Sequence, residues 1–126
     1  PEGWRIPSDD DWIDLERYIG VPEAEIYELN RSSNAGNKLK YIWNKYQHTS
    51  YNYGTNSTGF TALPAGSISD GNHVGFGKRA VFWSGAETDD QFIVRRLNND
   101  DGILDRLSMY KTNSYFSLRY VKDAQY

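Results

Sequence analysis

Cysteine is absent from this 126-residue chain, and its absence excludes disulfides, thiolate metal sites and cysteine nucleophiles. Histidine is scarce. His48 and His73 stand far apart without companion ligands, whereas a zinc site needs clustered donors, so neither metal nor cofactor is expected. No apolar run reaches the roughly 18 residues needed to span a bilayer, and no signal peptide is recognisable. A basic surplus is also lacking: the net charge is −3, which argues against nucleic acid as a partner. Apolar residues make up only 38%, below the usual share, which predicts a loop-rich domain. What the chain does have is aromatic area, 15% of its residues, including ten Tyr and four Trp. Residues 1–126 suffice for one domain with a sizeable core, and Tyr beyond that core would suit a binding surface.

The first twenty residues carry the strongest local signal. Trp4 and Ile6 alternate as a strand end does, and Pro7, with no N–H to donate, stops the ladder. Ser8 is a good N-cap and Asp11 completes a capping-box pattern, while Asp9, Asp10 and Asp11 complement the helix dipole. Trp12, Leu15 and Ile19 follow at helical spacing, and Gly20 supplies the stop. Pro22 to Leu29 predicts a second short helix, and Leu39, Ile42, Trp43 and Tyr46 fit another helical turn or two. Residues 47–59 read as a long polar surface loop. Strands are predicted at Phe60–Gly66, Ala80–Ser84, Phe92–Leu97, Ile103–Met109 and Tyr115–Val121, with turns at 69–72, 88–90 and 98–102. N-terminal helices followed by strands indicate an α+β fold with a twisted antiparallel sheet and long loops.

Few motifs carry chemistry. Gly71–Lys78 is Gly-rich but lacks the P-loop spacing, and no helix follows it, so a Gly-rich turn is expected. Asn98-Asn99-Asp100-Asp101-Gly102 offers oxygen ligands for weak calcium binding but lacks the glutamate of an EF-hand, and a hairpin turn accounts for it. No serine sits in a nucleophile elbow, and the carboxylates of Asp9–Asp11 and Asp89–Asp90 are explained by a cap and a turn. Asn30-Arg31-Ser32 and Asn56-Ser57-Thr58 match a glycosylation sequon that arises readily by chance. No catalytic constellation stands out.

The blocks Gly3–Trp12 with Leu15 and Gly20, Ala35–Lys40, Thr55–Gly66, Phe82-Trp83-Ser84 and Phe116–Asp123, in that order, resemble the Fibrobacter succinogenes major paralogous domain family. The resemblance implies a C-type lectin-like fold related to the formylglycine-generating enzyme type. It also implies secreted or surface lipoproteins of Bacteroidetes and Fibrobacteres, anchored outside the segment given. Ser8–Gly20 would be the second helix of that fold, with a first strand and helix upstream of Pro1. Tyr120 stands where members usually carry a cysteine whose partner precedes Gly3, so that bridge is lost; Glu23–Leu29 looks like an inserted helix adding surface rather than core. The enzyme relatives use active-site cysteines, which this chain lacks, so no enzymatic activity is expected. Nor are the Glu-Pro-Asn, Gln-Pro-Asp or Trp-Asn-Asp signatures of calcium-dependent lectins present.

These readings converge on a non-catalytic, extracellular or outer-surface binding module for a glycan or a surface protein, without membrane insertion of this segment. The expected ligand-binding residues are Tyr51, Tyr53, Asn98, Asn99, Tyr110, Asn113 and Tyr115, gathered on one face, with rings that stack and amides that hydrogen-bond. Two other readings stand beside this one. A structural module of a fimbria-like surface assembly would use exposed strand edges. A retroelement-diversified ligand-binding protein would vary in the Asn- and Tyr-rich stretch from Asn98 to Tyr115.

Overall fold

Ser8 caps the helix that its position predicts. In the computed structural model, which describes residues 2–41, 54–111 and 113–123, helix α1 spans Asp9–Ile19. The Ser8 hydroxyl accepts from the Asp11 N–H at 3.2 Å, and the Asp11 carboxylate accepts in return from the Ser8 N–H at 2.7 Å. Gly20 closes the helix in the left-handed conformation. The inward face carries Trp12, Ile13 and Ile19, all buried, while Leu15 packs half-buried at its edge.

The strands are β1 (Trp4–Arg5), β2 (Ser67–Ser69), β3 (Asn72–Val74), β4 (Arg79–Glu87), β5 (Gln91–Asn98), β6 (Leu104–Tyr110), β7 (Ser114–Tyr115) and β8 (Val121–Lys122). They form three antiparallel sheets, ordered β4-β5-β6, β3-β2-β7 and β1-β8. The last pairing brings Trp4 opposite Lys122, so the two ends of the described chain meet. The architecture is thus α+β, with more sheet than helix among the described residues.

Strand alternation gives the β4-β5-β6 sheet two covered faces. Ala80, Phe82, Leu97 and Leu104 turn toward α1 and join Trp12, Ile13, Ile19, Ile26, Leu39 and Ala62 in the larger core cluster. Trp12, Phe60 and Phe82 meet there with ring centroids 5.6–5.9 Å apart, in the range of favourable tilted and edge contacts. Val81, Val94 and Phe116 cover the opposite face with half-buried Trp83, Phe92, Leu107 and Met109. Each fully buried aliphatic or aromatic side chain contributes about 1.5–3 kcal/mol.

The larger core also holds ions. Glu16 of α1 is fully buried between two fully buried arginines. Its carboxylate accepts from both terminal nitrogens of Arg31 and from Arg95 Nε (2.8 Å) and Nη2 (3.1 Å). Asp9, two helical turns earlier, approaches Arg95 and Arg106, each at 2.8 Å. Burial alone would push the Asp9 carboxyl up, but the guanidiniums of Arg106 and Arg95 outweigh it and hold it below its ordinary range.

Several predicted elements take a different form. The helix expected from Pro22 to Leu29 is a single 3-10 turn at Glu23–Glu25, and Ile26 beyond it lies in the core rather than on the surface. Beyond that turn the Asn30 N–H donates to the Arg106 carbonyl of β6 instead of to Ile26, and Arg31 Nε and Nη2 donate to the carbonyls of Glu25 and Ile26. Leu39 is buried at the end of another 3-10 turn, Gly36–Lys38, while Ile42, Trp43 and Tyr46 lie outside the described residues. Phe60–Gly66 forms no continuous strand but touches its neighbours through isolated bridges, Lys40 to Ala62 and Gly66 to Ala80. The strand expected from Tyr115 to Val121 is divided among three partners. Tyr115 pairs with Ile68, Ser117 with Phe82 of β4 and Val121 with Arg5, as the chain crosses from one sheet to the next.

Candidate functional site

The face of the central sheet that begins with Phe92 and Val94 turns polar at its far end. Arg96 and Asn98 continue the same alternation on β5, Arg79 lies opposite Asn98 on β4, and Asp105 lies opposite Arg96 on β6. The Asn99 N–H donates to the Lys78 carbonyl at 2.8 Å and extends the pairing one residue past the strand ends. Arg79, Arg96, Asn98 and Asn99, with Lys78, Asp100 and Asp101, line an open polar cleft of about 300 Å³, and Asp105 pairs with Arg96 beside it.

Local backbone chemistry places the cations. Gly77 N–H donates to the Pro64 carbonyl at 2.8 Å, and the N–H groups of Lys78 and Arg79 both donate to the Gly75 carbonyl, at 2.9 and 3.0 Å. The Arg79 side chain lies directly over Gly75, where a Cβ would come within 2.7 Å of Arg79 Cγ; only glycine at 75 leaves that path open. Behind the opposite wall, Gly36 N–H donates to the Gly102 carbonyl at 2.6 Å, and buried Lys40 donates through Nζ to the Asp101 carbonyl. Burial pushes the Lys40 ammonium down to about 8, against the upward pull of Asp101 and Asp100. The 98–102 turn is therefore a docked wall rather than a freely hanging hairpin.

The cleft's polar groups are incompletely satisfied by protein. Nε of both Arg79 and Arg96 is buried without a hydrogen-bond partner. Arg96 Nη2 makes only a 3.7 Å ion pair with Asp105, whose other oxygen accepts from the Arg31 N–H at 2.8 Å. Among the described residues, the Lys78 ammonium, the Arg79 guanidinium and the side-chain amides of Asn98 and Asn99 have no protein partner. Lys78 is exposed and Asn98 and Asn99 are half-buried, so their donors are open to an acceptor arriving from solution.

The expected ligand-binding residues divide across the molecule. Asn98 and Asn99 lie in the cleft. Tyr110 is opposite Gln91 at the other end of β5, about 23 Å away at ~3.3 Å per residue. Asn113 accepts the Asp70 N–H through its carbonyl at 2.9 Å, and exposed Tyr115 borders a shallow groove with Ile68 and His73 on the β3-β2-β7 sheet. Tyr51 and Tyr53 lie outside the described residues. The face expected to unite these side chains is thus split among separate places. Lys78, Arg79 and Arg96 were not singled out by sequence. For Arg96 a signal was present, since on β5 it occupies a position that the pattern of Phe92 and Val94 reserves for an apolar residue.

His73 contacts the Ala65 carbonyl through Nε2 at 3.0 Å and stacks edge-on with Phe76 at 5.5 Å. Among the described residues, no three His, Cys, Asp or Glu side chains gather closely enough to hold a metal ion, and no helix is long and apolar enough to cross a membrane.

Fold and cleft together define a small α+β domain with a helix packed on a central antiparallel sheet and a cationic, amide-rich cleft at one end of that sheet. The chain belongs to the Fibrobacter succinogenes major domain family, which matches it over residues 1–122. No curated protein and no solved structure matches it.

Proposed function

We propose that this protein is a non-catalytic binding module, displayed extracellularly or lipid-anchored at an outer surface, that takes a saccharide in the Lys78–Asn98 cleft. The observation that carries this reading is the set of partnerless donors in one polar cleft: the amides of Asn98 and Asn99 beside Lys78 and Arg79. Asn amides donate and accept, and Asp100 accepts, which is the mixture that sugar hydroxyls require. The C-type lectin-like relationship expected from the sequence blocks belongs to the same proposal. A glycan array followed by calorimetric titration tests the function. Binding that is reduced about tenfold by Asn98→Ala or Asn99→Ala, the size of one or two lost hydrogen bonds, supports it. Undiminished binding in both variants refutes this location.

A further inference from the structure

We infer that the saccharide recognised at this cleft is carboxylated, a uronic-acid or sialic-acid type of sugar, with Lys78 and Arg79 holding the carboxylate. This inference rests on the binding reading above and adds the ligand's charge. The charge pattern of the cleft carries it. Behind the wall, buried Lys40 donates to the Asp101 backbone carbonyl, and Arg96 forms an ion pair with Asp105. With Lys78, Arg79, Asp100 and Asp101 of the lining, four cations stand against three carboxylates. One positive charge is therefore uncompensated, on a chain whose net charge is −3.

The geometry favours a carboxylate over other anions. A guanidinium presents a planar fork that matches two carboxylate oxygens, and the neighbouring ammonium adds a point charge. Arg79 is partly exposed and its side chain makes no hydrogen bond or ion pair with another residue, so a ligand oxygen meeting the guanidinium displaces no protein contact. Sulfated or phosphorylated polymers bring several closely spaced charges, and Asp100 and Asp101 in the same wall oppose them. A single carboxylate matches the single surplus charge. Asn98 and Asn99 stand beside the cations and supply amides for ring hydroxyls, and the cleft's volume, equal to about ten waters at ~30 Å³ each, accepts a sugar ring.

The test is an array of uronic-acid, sialic-acid, sulfated and neutral oligosaccharides, followed by titration of each binder and of its carboxyl-methyl ester. The expected result is binding confined to carboxylated members and lost on esterification. Affinity should weaken roughly tenfold in Lys78→Gln and in Arg79→Gln and fall as salt is raised. Lys78 is exposed, so Lys78→Gln should melt with the wild type and keeps the result readable if Arg79→Gln disturbs the strand. Binding of neutral or only sulfated sugars, lost in Asn98→Ala but unchanged in Lys78→Gln and Arg79→Gln, overturns the inference while leaving the binding module intact. Absence of any saccharide binding overturns both.

Discussion

Replacing Glu16 by alanine should cost this domain a large part of its stability. Glu16, Arg31 and Arg95 have no solvent-exposed side-chain surface, and the one carboxylate accepts from both guanidiniums. Without it, Arg31 retains the carbonyls of Glu25 and Ile26, and Arg95 retains Asp9 at 2.8 Å. Two cations would then share a dry interior with one partly exposed carboxylate. Breaking a buried pair from one side costs about 3–5 kcal/mol, against a total stability of about 5–15 kcal/mol for an ordinary domain. At about 3–4 °C per kcal/mol for a domain of this size, the melting temperature should fall by roughly 10–20 °C. Urea unfolding followed by tryptophan fluorescence reads this directly, because Trp12 packs in the same cluster against Phe60 and Phe82. The companion variant Glu16→Met/Arg31→Met/Arg95→Leu removes all three charges and should recover most of the loss, since apolar replacements of buried ion networks are often neutral. A Glu16→Ala penalty below about 1 kcal/mol, or a triple variant as unstable as the single one, would refute the account of uncompensated buried charge.

Two other outcomes follow from the ends of α1 and from the wall of the cleft. The guanidinium of Arg5, with the Ser8 N–H and hydroxyl, holds the Asp11 carboxyl well below the usual carboxylate range. Because that carboxyl binds protons less readily folded than unfolded, its contribution is present above about pH 4 and is lost as pH falls further. The urea midpoint should drop between pH 4 and pH 2 more steeply in the wild type than in Asp11→Asn, and equal slopes would contradict the assignment. Gly36→Ala would put a Cβ 2.8 Å from the Leu104 nitrogen and 2.9 Å from the Gly102 carbonyl oxygen, backbone atoms that cannot yield as a side chain can. A loss of about 1–3 kcal/mol is expected by chemical denaturation, and a neutral result would mean that the 102–104 backbone gives way freely.

Much of the domain's local structure is written within short windows of sequence. Ser8 and Asp11 satisfy each other across three positions, Gly20 ends the helix, and the turns after Ser69, Glu87 and Asn98 all fall where small and acidic residues cluster. Long-range competition decided the rest. Glu16 reads as a solvent-facing helix position until Arg95, far along the chain on β5, packs beneath it. The expected second helix gives way where the Asn30 N–H pairs with Arg106 of β6 and Arg31 donates to the carbonyls of Glu25 and Ile26, contacts that helical periodicity does not contain. The final strand is divided because Tyr115, Ser117 and Val121 each meet a different neighbour, and alternation reports burial without naming the partner.

The candidate site divides in the same way. Asn98 and Asn99 were legible as polar residues of a hairpin turn, but the sequence alone grouped them with Tyr110 and Tyr115, which the structure places elsewhere. Caps and turns are settled by atoms a few bonds apart, so local sequence determined them. The buried Glu16–Arg31–Arg95 network and the cleft of Lys78, Arg79, Arg96, Asn98 and Asn99 were decided only by the tertiary structure. Both arise where distant segments bring charges together and remove the water that would otherwise have solvated each one separately.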